Sequence, residues 1–516
     1  MDGLKEFWTR GTAVAGAATA LLAVLAATGC STNPATGRPQ LALISEQQEI
    51  QMGLDNDQQV RQQLGLYPDP KLQEYVNRIG QKLAAASERP NLAWTFRVID
   101  DPVVNAFAIP GGHVYVTRGL MTHLTSEAEL AGVIGHEIGH VTARHSVEQM
   151  SKQELAQIGL LAGAILSPAV ADLSNLAAQG LQVLFLKYSR DDERQADHLG
   201  LRYMVQQGYD PREMPRVFEV LRRVSAAQGT GRIPGWLSTH PTEEERIRTI
   251  SGEVARLGGD FSGRTVNRDE YVRTLDNVVF GQNPREGYFV GSTFVQPELG
   301  FQIRFPDGWK TSNERTAVGA ISPNQDAAVA VSLSDQSSPQ AAAQQFFAQQ
   351  GVQSGQEVQV SPNGLTAVSR IFGVQGSSAD YQGIASFVEH DGKVYQILGY
   401  TGTQRWRSYE DVLSGTIATF GPVRDRRALE VQPKRVAVVS LPSEMTLQEF
   451  AQRYPSTVDL PTLAILNEAE ASTRFPAGAA VKRVVGGELP KVSAAAPPWG
   501  LPGAPARRAA IRAARR

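Results

Sequence analysis

The sequence is poor in cysteine and has almost no excess of charge. Its 516 residues include one cysteine, Cys30, so no disulfide can form within the chain. Lysine and arginine number 50 against 52 acidic residues, and a net charge of -2 excludes strong electrostatic attraction to nucleic acid or acidic surfaces. The 42% share of hydrophobic residues is typical of globular proteins, and a chain of this length should form more than one domain.

Long uncharged runs are also scarce, and the first one precedes the cysteine. Two basic residues are followed by an apolar run from about Gly11 to Ala27, and small residues stand directly before Cys30. This order is typical of a secretory signal peptide and resembles a bacterial lipobox, whose cysteine becomes the lipidated first residue of the mature chain. We predict a signal peptide over residues 1–29, lipidation of Cys30 and export to the periplasm, and Ser31 favours the outer membrane by analogy with such lipoproteins. An uncleaved membrane anchor with an incidental cysteine is the alternative.

The most informative stretch is HEIGH, which begins at His136 and ends at His140. In a helix each residue advances by about 100°, so side chains four positions apart lie on one face, one turn apart. Ser126, with Glu129 three residues later, predicts the N-terminal cap of this helix, and an apolar stripe faces away from the histidines. The two imidazoles can therefore bind one metal ion, with Glu137 at the edge of the same face.

Zinc suits such a pair of histidines. It accepts neutral imidazole and keeps one position open for water when the protein supplies three ligands. The metal lowers the pKa of that water, and a neighbouring carboxylate can then take its proton, which is the chemistry of peptide hydrolysis. We therefore predict His136 and His140 as zinc ligands and Glu137 as the general base.

A third ligand is expected from the segment RDDERQADHLG. Glu193 and Asp197 are four residues apart, on one face of a helix predicted to begin near Ser189. Glu193 can complete the ligand set, whereas Asp197 can either hydrogen-bond a ligand or donate a proton to the leaving amine. An acidic pair at this spacing is also common on solvated helix faces.

The other histidines are weaker candidates. His145 is nine residues from His136, about 180° round an uninterrupted helix, which predicts that it points away from the metal. No helical register with the HEIGH pair exists for His113, His123 and His198.

A small sheet is predicted before the metal-binding helix. Residues 94–98 alternate as a strand, and residues 104–109 and 113–117 flank a Pro-Gly-Gly turn as a hairpin. An exposed strand edge beside a zinc helix can hold extended substrate by adding it to the sheet, or the hairpin is ordinary core. Beyond the helix, the uncharged run from Ala156 to Ala171 predicts either a buried helix or a lid over the cleft.

Four segments resemble the HEXXH zinc peptidases that include the CAAX prenyl protease and HtpX: VNAFAIPGGHVYV, HEIGH, ERQAD and WLSTHPTEEERI. The likeness is closer to the periplasmic BepA-like lipoprotein branch and covers about residues 33–250. It implies a gluzincin-type domain with one zinc ion per chain, Glu193 as the third ligand and Asp197 as a proton donor. It also implies that His240 lies over the zinc as a reversible fourth ligand or a transition-state contact. From physical chemistry alone, a histidine before proline in a loop is usually polar surface.

The second half of the chain predicts further domains. From about Tyr288 a β-rich pattern with two helices indicates an α+β domain over residues 286–425, which resembles PsbP-like modules. Residues 430–487 resemble a LysM module, a fold that binds N-acetylglucosamine chains of peptidoglycan, and a small packing unit without sugar affinity is the alternative. The 34-residue repeats that follow in BepA-like proteins are not visible. The tail over residues 488–516 is basic and predicted to be disordered.

Together these features predict an α+β protein whose residues 30–285 form a mainly helical metallopeptidase domain with a small β-sheet. The resemblance implies a zinc-dependent endopeptidase, anchored to the outer membrane, that degrades misassembled outer-membrane or periplasmic proteins. Two alternatives stay open. One is an envelope assembly or chaperone factor with a latent protease site, and the other is a peptidoglycan-binding lipoprotein organised by the LysM-like segment.

Overall fold

The computed structural model describes residues 30–164, 188–228, 240, 244–360, 362–375 and 380–489. The predicted signal peptide, the end of the predicted lid and residues 490–516 of the predicted disordered tail lie outside these residues. The chain divides into a first unit, which runs to Gln282 and includes Lys434–Gly486, and a second unit, which comprises Asn283–Pro433 and the residues from Gly487 on. Within the described residues, no helix is both long enough and apolar enough to cross a bilayer.

The first unit is mainly helical before residue 283. Its helices there are α1 (Glu46–Gln63), α2 (Pro70–Ala84), α3 (Arg118–His123), α4 (Glu127–Thr142), α5 (His145–Ala164), α6 (Arg190–Gln206), α7 (Glu213–Gln228), α8 (Glu244–Leu257) and α9 (Arg268–Thr274). Its strands there are β1 (Cys30–Thr32), β2 (Pro39–Leu41), β3 (Thr95–Ile99), β4 (Ala106–Ile109) and β5 (His113–Thr117). The predicted hairpin is confirmed, because β4 pairs antiparallel with β5, while β5 pairs parallel with β3. The sheet order β3-β5-β4 leaves β4 at an edge.

Local sequence signals fix where the two most important helices begin. Ser126 and Glu129 form the predicted capping box of α4, and Ser189 and Asp192 form that of α6. In each, the serine hydroxyl accepts a hydrogen bond from a backbone N–H of the first turn, and the acidic side chain accepts one from the backbone N–H of the serine. Each box therefore satisfies two backbone donors that the start of a helix would otherwise leave unpaired.

Helix α4 lies in the core of the first unit, and all its residues are buried. It packs closely against α6 because glycines stand at their crossing. A Cβ atom on Gly200 would lie 2.7 Å from the backbone nitrogen of His136, and one on Gly139 would lie 2.9 Å from a carbonyl oxygen of α6. Only glycine fits at such distances. The crossing brings the face of α6 that carries Glu193 and Asp197 against the histidine-bearing face of α4.

The second unit is built on two antiparallel sheets. One has the strand order β12-β13-β14-β15-β11-β10-β9 and the other has the order β16-β8-β7-β6. The strands are β6 (Tyr288–Val290), β7 (Thr293–Gln296), β8 (Phe301–Arg304), β9 (Lys310–Asn313), β10 (Ala317–Ile321), β11 (Ala327–Leu333), β12 (Val352–Glu357), β13 (Ala367–Val374), β14 (Tyr381–His390), β15 (Lys393–Gly402) and β16 (Gly421–Pro422). The α-helices are α10 (Pro339–Phe347), α11 (Trp406–Ala418) and α12 (Arg426–Leu429). The predicted α+β class of this unit is confirmed.

Residues Lys434–Gly486, here called the C-terminal module, return to the first unit. Its elements are β17 (Lys434–Ser440), β18 (Met445–Thr446), α13 (Leu447–Arg453), α14 (Leu460–Leu466), β19 (Arg474–Phe475) and β20 (Ala480–Gly486), and β17 pairs antiparallel with β20. Its two helices thus lie between the two paired strands.

The C-terminal module groups with the residues up to Gln282 in one compact unit. Its Val436 and Ala480 belong to the same hydrophobic cluster as the apolar residues of α4. The backbone N–H of Asn277 donates to the carbonyl oxygen of Val436 at 2.8 Å, and the N–H of Val436 donates to that of Val278 at 2.8 Å. The chain therefore leaves the first unit and re-enters it through paired segments, with residues 283–433 inserted between them.

Candidate metal centre

Four buried side chains in the first unit converge on one point. His136 and His140 extend from α4, Glu193 from α6, and His240 from the residues before α8, and one ligand atom from each lies within 4.8 Å of all the others. The exposed fraction of each is between 1% and 3%. The structure thus brings together all four residues that the sequence predicts as ligands.

The spacing of these atoms fits a zinc ion. Zinc–nitrogen bonds of about 2.0–2.1 Å in a tetrahedral site put neighbouring ligand atoms about 3.3 Å apart. The Nε2 atoms of His136 and His140 are 3.0 Å apart, and Nδ1 of His240 is 3.4 Å from Nε2 of His136. The carboxylate oxygens of Glu193 lie 3.6 Å from each of the two Nε2 atoms. Two nitrogens and a carboxylate that face one another at these distances, all buried, are a donor set suited to a divalent cation.

The hydrogen-bond network assigns proton positions that leave a lone pair on the ring nitrogens that face the cluster. Nδ1 of His136 lies 2.8 Å from Oδ1 of Asp197 and donates to it, which leaves Nε2 as a lone-pair donor. Nδ1 of His140 lies 2.9 Å from Nδ1 of His145, whose Nε2 lies 2.9 Å from Oε1 of Gln195. If Nε2 of His145 donates to Gln195, Nδ1 of His145 accepts the proton of His140 Nδ1. Nε2 of His140 then also carries a lone pair.

His145 is the residue for which the sequence prediction was wrong. An uninterrupted helix would turn it away from His140, but α4 ends at Thr142 and Arg144 has a φ of 57°, in the left-handed region. A new helix begins at His145, and the change of direction returns the imidazole to the metal-binding face. Helical periodicity applies only within one helix, and the left-handed residue carries no clear signal in the sequence.

The three other histidines considered as candidates contact groups outside the cluster. His113 contacts Thr95 at 2.8 Å, His123 contacts the carbonyl oxygen of Gly119 at 2.7 Å, and the exposed His198 contacts Glu253 at 3.0 Å.

Arg246 neutralises both acidic residues of α6 and was not anticipated from the sequence. Its Nε and Nη2 each donate to the carboxylate of Asp197 at 2.8 Å, and Nη1 lies 2.7 Å from Oε2 of Glu193. Burial by itself would raise the pKa of Asp197, but Arg246 and the hydrogen bond from His136 outweigh it, and the pKa lies below its usual value. Burial would likewise raise the pKa of Glu193, and His240, His136 and Arg246 together lower it.

Glu137 has the environment of a carboxylate that can hold a proton. Burial is the main cause that raises its pKa to about 7, opposed by His136 and reinforced by Glu193. The backbone N–H of Ala108, in the edge strand β4, donates to the carboxylate. Among the described residues, the buried Oε1 of Glu137 has no hydrogen-bond partner, and it lies 3.6 Å from Nε2 of His240.

Tyr188 is a further residue that sequence reasoning missed. Its ring stacks on His140 with centroids 4.0 Å apart, and its hydroxyl lies 2.8 Å from Oγ of Ser146. The only sequence signal was its place directly before Ser189, the N-cap of α6. The stacking fixes one more face of a ligand ring.

A helix-borne HEXXH pair completed by a glutamate from a second helix defines the site of a zinc-type metallopeptidase. Residues 70–254 match the family model of Peptidase family M48. This segment of the chain is therefore similar to peptidase family M48, and the four candidate metal ligands His136, His140, Glu193 and His240 all lie within it. The family match ends at residue 254, so it gives no support to the LysM-like interpretation of residues 430–487.

Several curated proteins are similar to this chain. A putative beta-barrel assembly-enhancing protease of Vibrio cholerae is 37% identical over 196 residues, which cover 36% of this chain and 40% of that protein. The beta-barrel assembly-enhancing protease of Escherichia coli K12 is 32% identical over 230 residues, which cover 43% of this chain and 47% of that protein. The mitochondrial metalloendopeptidase OMA1 of Arabidopsis thaliana is 35% identical over 185 residues, with coverage of 36% of each chain. The chain spans less than half the length of these relatives.

The match to one solved structure, cyanobacterial PsbP from Synechocystis, has 14% sequence identity and a TM-score of 0.22. It covers 26% of this chain and 95% of the PsbP chain. The PsbP-like resemblance of residues 286–425 therefore stays a prediction.

Proposed function

We propose that this protein is a zinc-dependent endopeptidase of the bacterial cell envelope that hydrolyses extended segments of misassembled proteins. The observation that carries the proposal is the position of Glu137, a buried carboxylate beside the cluster of candidate ligands, one oxygen of which has no hydrogen-bond partner in the described part of the chain. A zinc ion held there by His136, His140 and Glu193 would supply a Lewis acid that polarises the scissile carbonyl and acidifies water. Side chains of the protein would carry out the proton transfers and position the ligands.

Glu137 would act as the general base and then as a general acid. A pKa near neutrality allows a carboxylate to take a proton from water and to give it up again to the leaving amine. Its burial keeps bulk water away from the reacting atoms, which strengthens every charge interaction in the site. The hydrogen bond from Ala108 orients the carboxylate.

Asp197 and His145 would position the ligand rings. The sequence left two roles open for Asp197: hydrogen-bonding a ligand, or donating a proton to the leaving amine. The hydrogen bond to His136 favours the first role, and the lowered pKa of Asp197 makes it a poor proton donor at neutral pH. The proton-donor role that the family resemblance implies stays a prediction. Hydrogen bonds of this kind fix the tautomer and orientation of a ligating imidazole.

His240 would be a reversible fourth ligand. Its Nδ1 lies 2.7 Å from Oε1 of Glu193, a hydrogen-bond distance, and its Nε2 faces Glu137. An imidazole in this place occupies the position that water and a substrate carbonyl need. Movement of His240 away from Glu193 would therefore open the site. If His240 stayed in place, the site would remain closed and the protein would be a latent protease.

The edge of β4 would hold the substrate. In the part of the chain that the structure describes, this strand pairs only with β5, and its Ala108 N–H donates to Glu137. An extended peptide added along this edge would bring its carbonyl groups to the ligand cluster, with main-chain hydrogen bonds supplying affinity that is independent of side chains. This geometry favours unfolded segments over folded proteins.

The cellular setting of the proposal rests on the sequence and on the names of relatives. A lipidated Cys30 would tether the enzyme to the outer membrane from the periplasmic side. Two bacterial relatives are named as beta-barrel assembly-enhancing proteases, which supports misassembled outer-membrane proteins as the substrate class.

The test is hydrolysis of an unfolded protein by the Glu137→Gln variant. The substitution keeps the size of the side chain and leaves every proposed ligand in place, so zinc content should stay at one per chain while hydrolysis falls by about 10²–10⁴-fold. Glu74→Gln is the matched control, because it removes an exposed carboxylate on α2. Wild-type hydrolysis by Glu137→Gln would overturn the proposal, and full envelope function of that variant in cells would favour an assembly factor with a latent site.

A further inference from the structure

The segment Thr122–Ser126, which comprises the last two residues of α3 and the connection to α4, determines where the metal-binding helix begins. Its last residue is the N-cap of α4, and Thr122, Leu124 and Thr125 are each at most 1% exposed. His136 lies on the same rigid helix, ten residues after Ser126. Any displacement of this segment therefore moves a ligand.

Lys482, in β20 of the C-terminal module, holds this segment from across the sequence. Its Nζ donates to the carbonyl oxygens of Thr122 at 2.9 Å and Leu124 at 2.6 Å, and the side chain is completely buried. Its own backbone is fixed by Asn467, which accepts from the N–H of Lys482 at 2.8 Å and donates to its carbonyl oxygen at 2.9 Å. The two carbonyls at the end of α3 are thus satisfied by a residue that lies far away in the chain.

Glu468, beside Asn467, holds the other side of the same segment. Its Oε1 accepts from the hydroxyl of Thr125 at 2.9 Å, and its Oε2 lies 3.2 Å from Nη2 of Arg216 in α7. Arg216 also lies 3.6 Å from Oε1 of Glu129, the acidic member of the capping box of α4. The module and α7 therefore enclose the helix start.

We propose that Lys482 and Glu468 are positioning residues that set the register of the metal-binding helix, which makes the C-terminal module an integral part of the peptidase. Both lie outside residues 70–254, the segment that matches the peptidase family. The consequence for hydrolysis rests on the function proposed above, but the consequence for metal binding does not. Ligand atoms must stay within about 0.5 Å of their places for tight binding, and a helix whose first turn shifts cannot meet that limit.

Removal of either contact should loosen the metal. In Lys482→Met the apolar stem is retained, and two buried carbonyls lose their donor. In Thr125→Val the shape is retained, and Glu468 loses the hydroxyl. Arg483→Met is the matched control, because Arg483 is the next residue on β20 and its Nη1 donates to the carbonyl oxygen of Pro455 inside the module, at 3.0 Å.

The experiment measures zinc release to a chelator and amide hydrogen exchange in the full chain. We expect zinc release to be about tenfold faster in Lys482→Met and several-fold faster in Thr125→Val, with the control within about twofold of wild type. Exchange should accelerate in residues 122–134 and not in α2. If hydrolysis is observed, kcat should fall and KM should not change.

The outcomes separate this proposal from the previous one. A wild-type chain that binds zinc but hydrolyses nothing would end the proposed function, while zinc release and exchange would still test the positioning role. Wild-type rates of release and exchange in every variant that folds would overturn the positioning role. Equal acceleration of exchange in α2 would also overturn it, because that result would indicate general destabilisation.

Discussion

The burial of Lys482 predicts that the contribution of this residue to the stability of the first unit increases between pH 7 and pH 9. Burial lowers the pKa of this amine to about 7, opposed by Glu468 and Glu129 and reinforced by Arg268. A neutral amine has two N–H donors, and two carbonyl oxygens accept them. The structure therefore favours the uncharged form, which an unfolded chain would not adopt until far higher pH.

The sign and the magnitude follow from proton linkage. An unfolded lysine has a pKa of about 10.4, so between about pH 7 and pH 10 the unfolded chain binds one proton more than the folded chain. The contribution of Lys482 to stability therefore rises with pH across this window, by at most about 1.4 kcal/mol per pH unit. Lys482 is already half titrated at pH 7, so the gain from pH 7 to pH 9 is about 2 kcal/mol.

The assay is urea unfolding at pH 7, 8 and 9, read by hydrogen exchange of α4 peptides, with a chelator present so that metal binding does not contribute. Lys482→Met should lack the rise, so the stability difference between wild type and variant should widen with pH. The stability of Arg483→Met should change with pH as that of wild type does, because the guanidinium of Arg483 does not titrate in this range. If Lys482→Met does not fold, Lys482→Gln serves in its place. A difference that stays constant from pH 7 to pH 9 would refute the reasoning.

Three further predictions concern the metal centre. Glu193→Ala should lose most of its zinc on dialysis because a charged ligand is removed, and metal analysis that finds equal zinc in variant and wild type would exclude Glu193 as a ligand. Asp197→Asn should bind zinc about 10–100-fold more weakly by chelator competition, because His136 loses a charged acceptor, and unchanged affinity would contradict the positioning role. His145→Ala should weaken binding by a similar factor, since His140 loses its partner, and the control His198→Ala, which alters an exposed residue, should bind as wild type does.

The metal-binding helix shows how far local sequence reasoning extends. Two predictions depended only on neighbours along the chain, and both are confirmed. Ser126 and Glu129 form the capping box, and the imidazoles of His136 and His140, four residues apart, face each other. Likewise, the sequence predicted that the face bearing Glu193 supplies the third ligand, and Glu193 lies in the cluster.

His145 shows where the same reasoning stops. The prediction extended the helix through Arg144, where the chain in fact takes a left-handed conformation. One residue with a positive φ redirects everything after it, and a non-glycine residue gives little warning of it. Arg246 and Tyr188 were missed for a related reason, because their contacts with the site depend on how whole helices pack.

The sequence by itself determined the elements of this protein and the chemistry they carry: capped helices, a hairpin, a pair of imidazoles one turn apart and an acidic residue suited to complete them. Only the tertiary structure decided which separate segments meet, through the glycine crossing of α4 and α6 and through the insertion that returns Lys482 to the start of the metal-binding helix. The physical reason is that a turn, a cap or a helical face is set by a few adjacent residues. A contact between Thr122 and Lys482 exists only when the whole unit is packed.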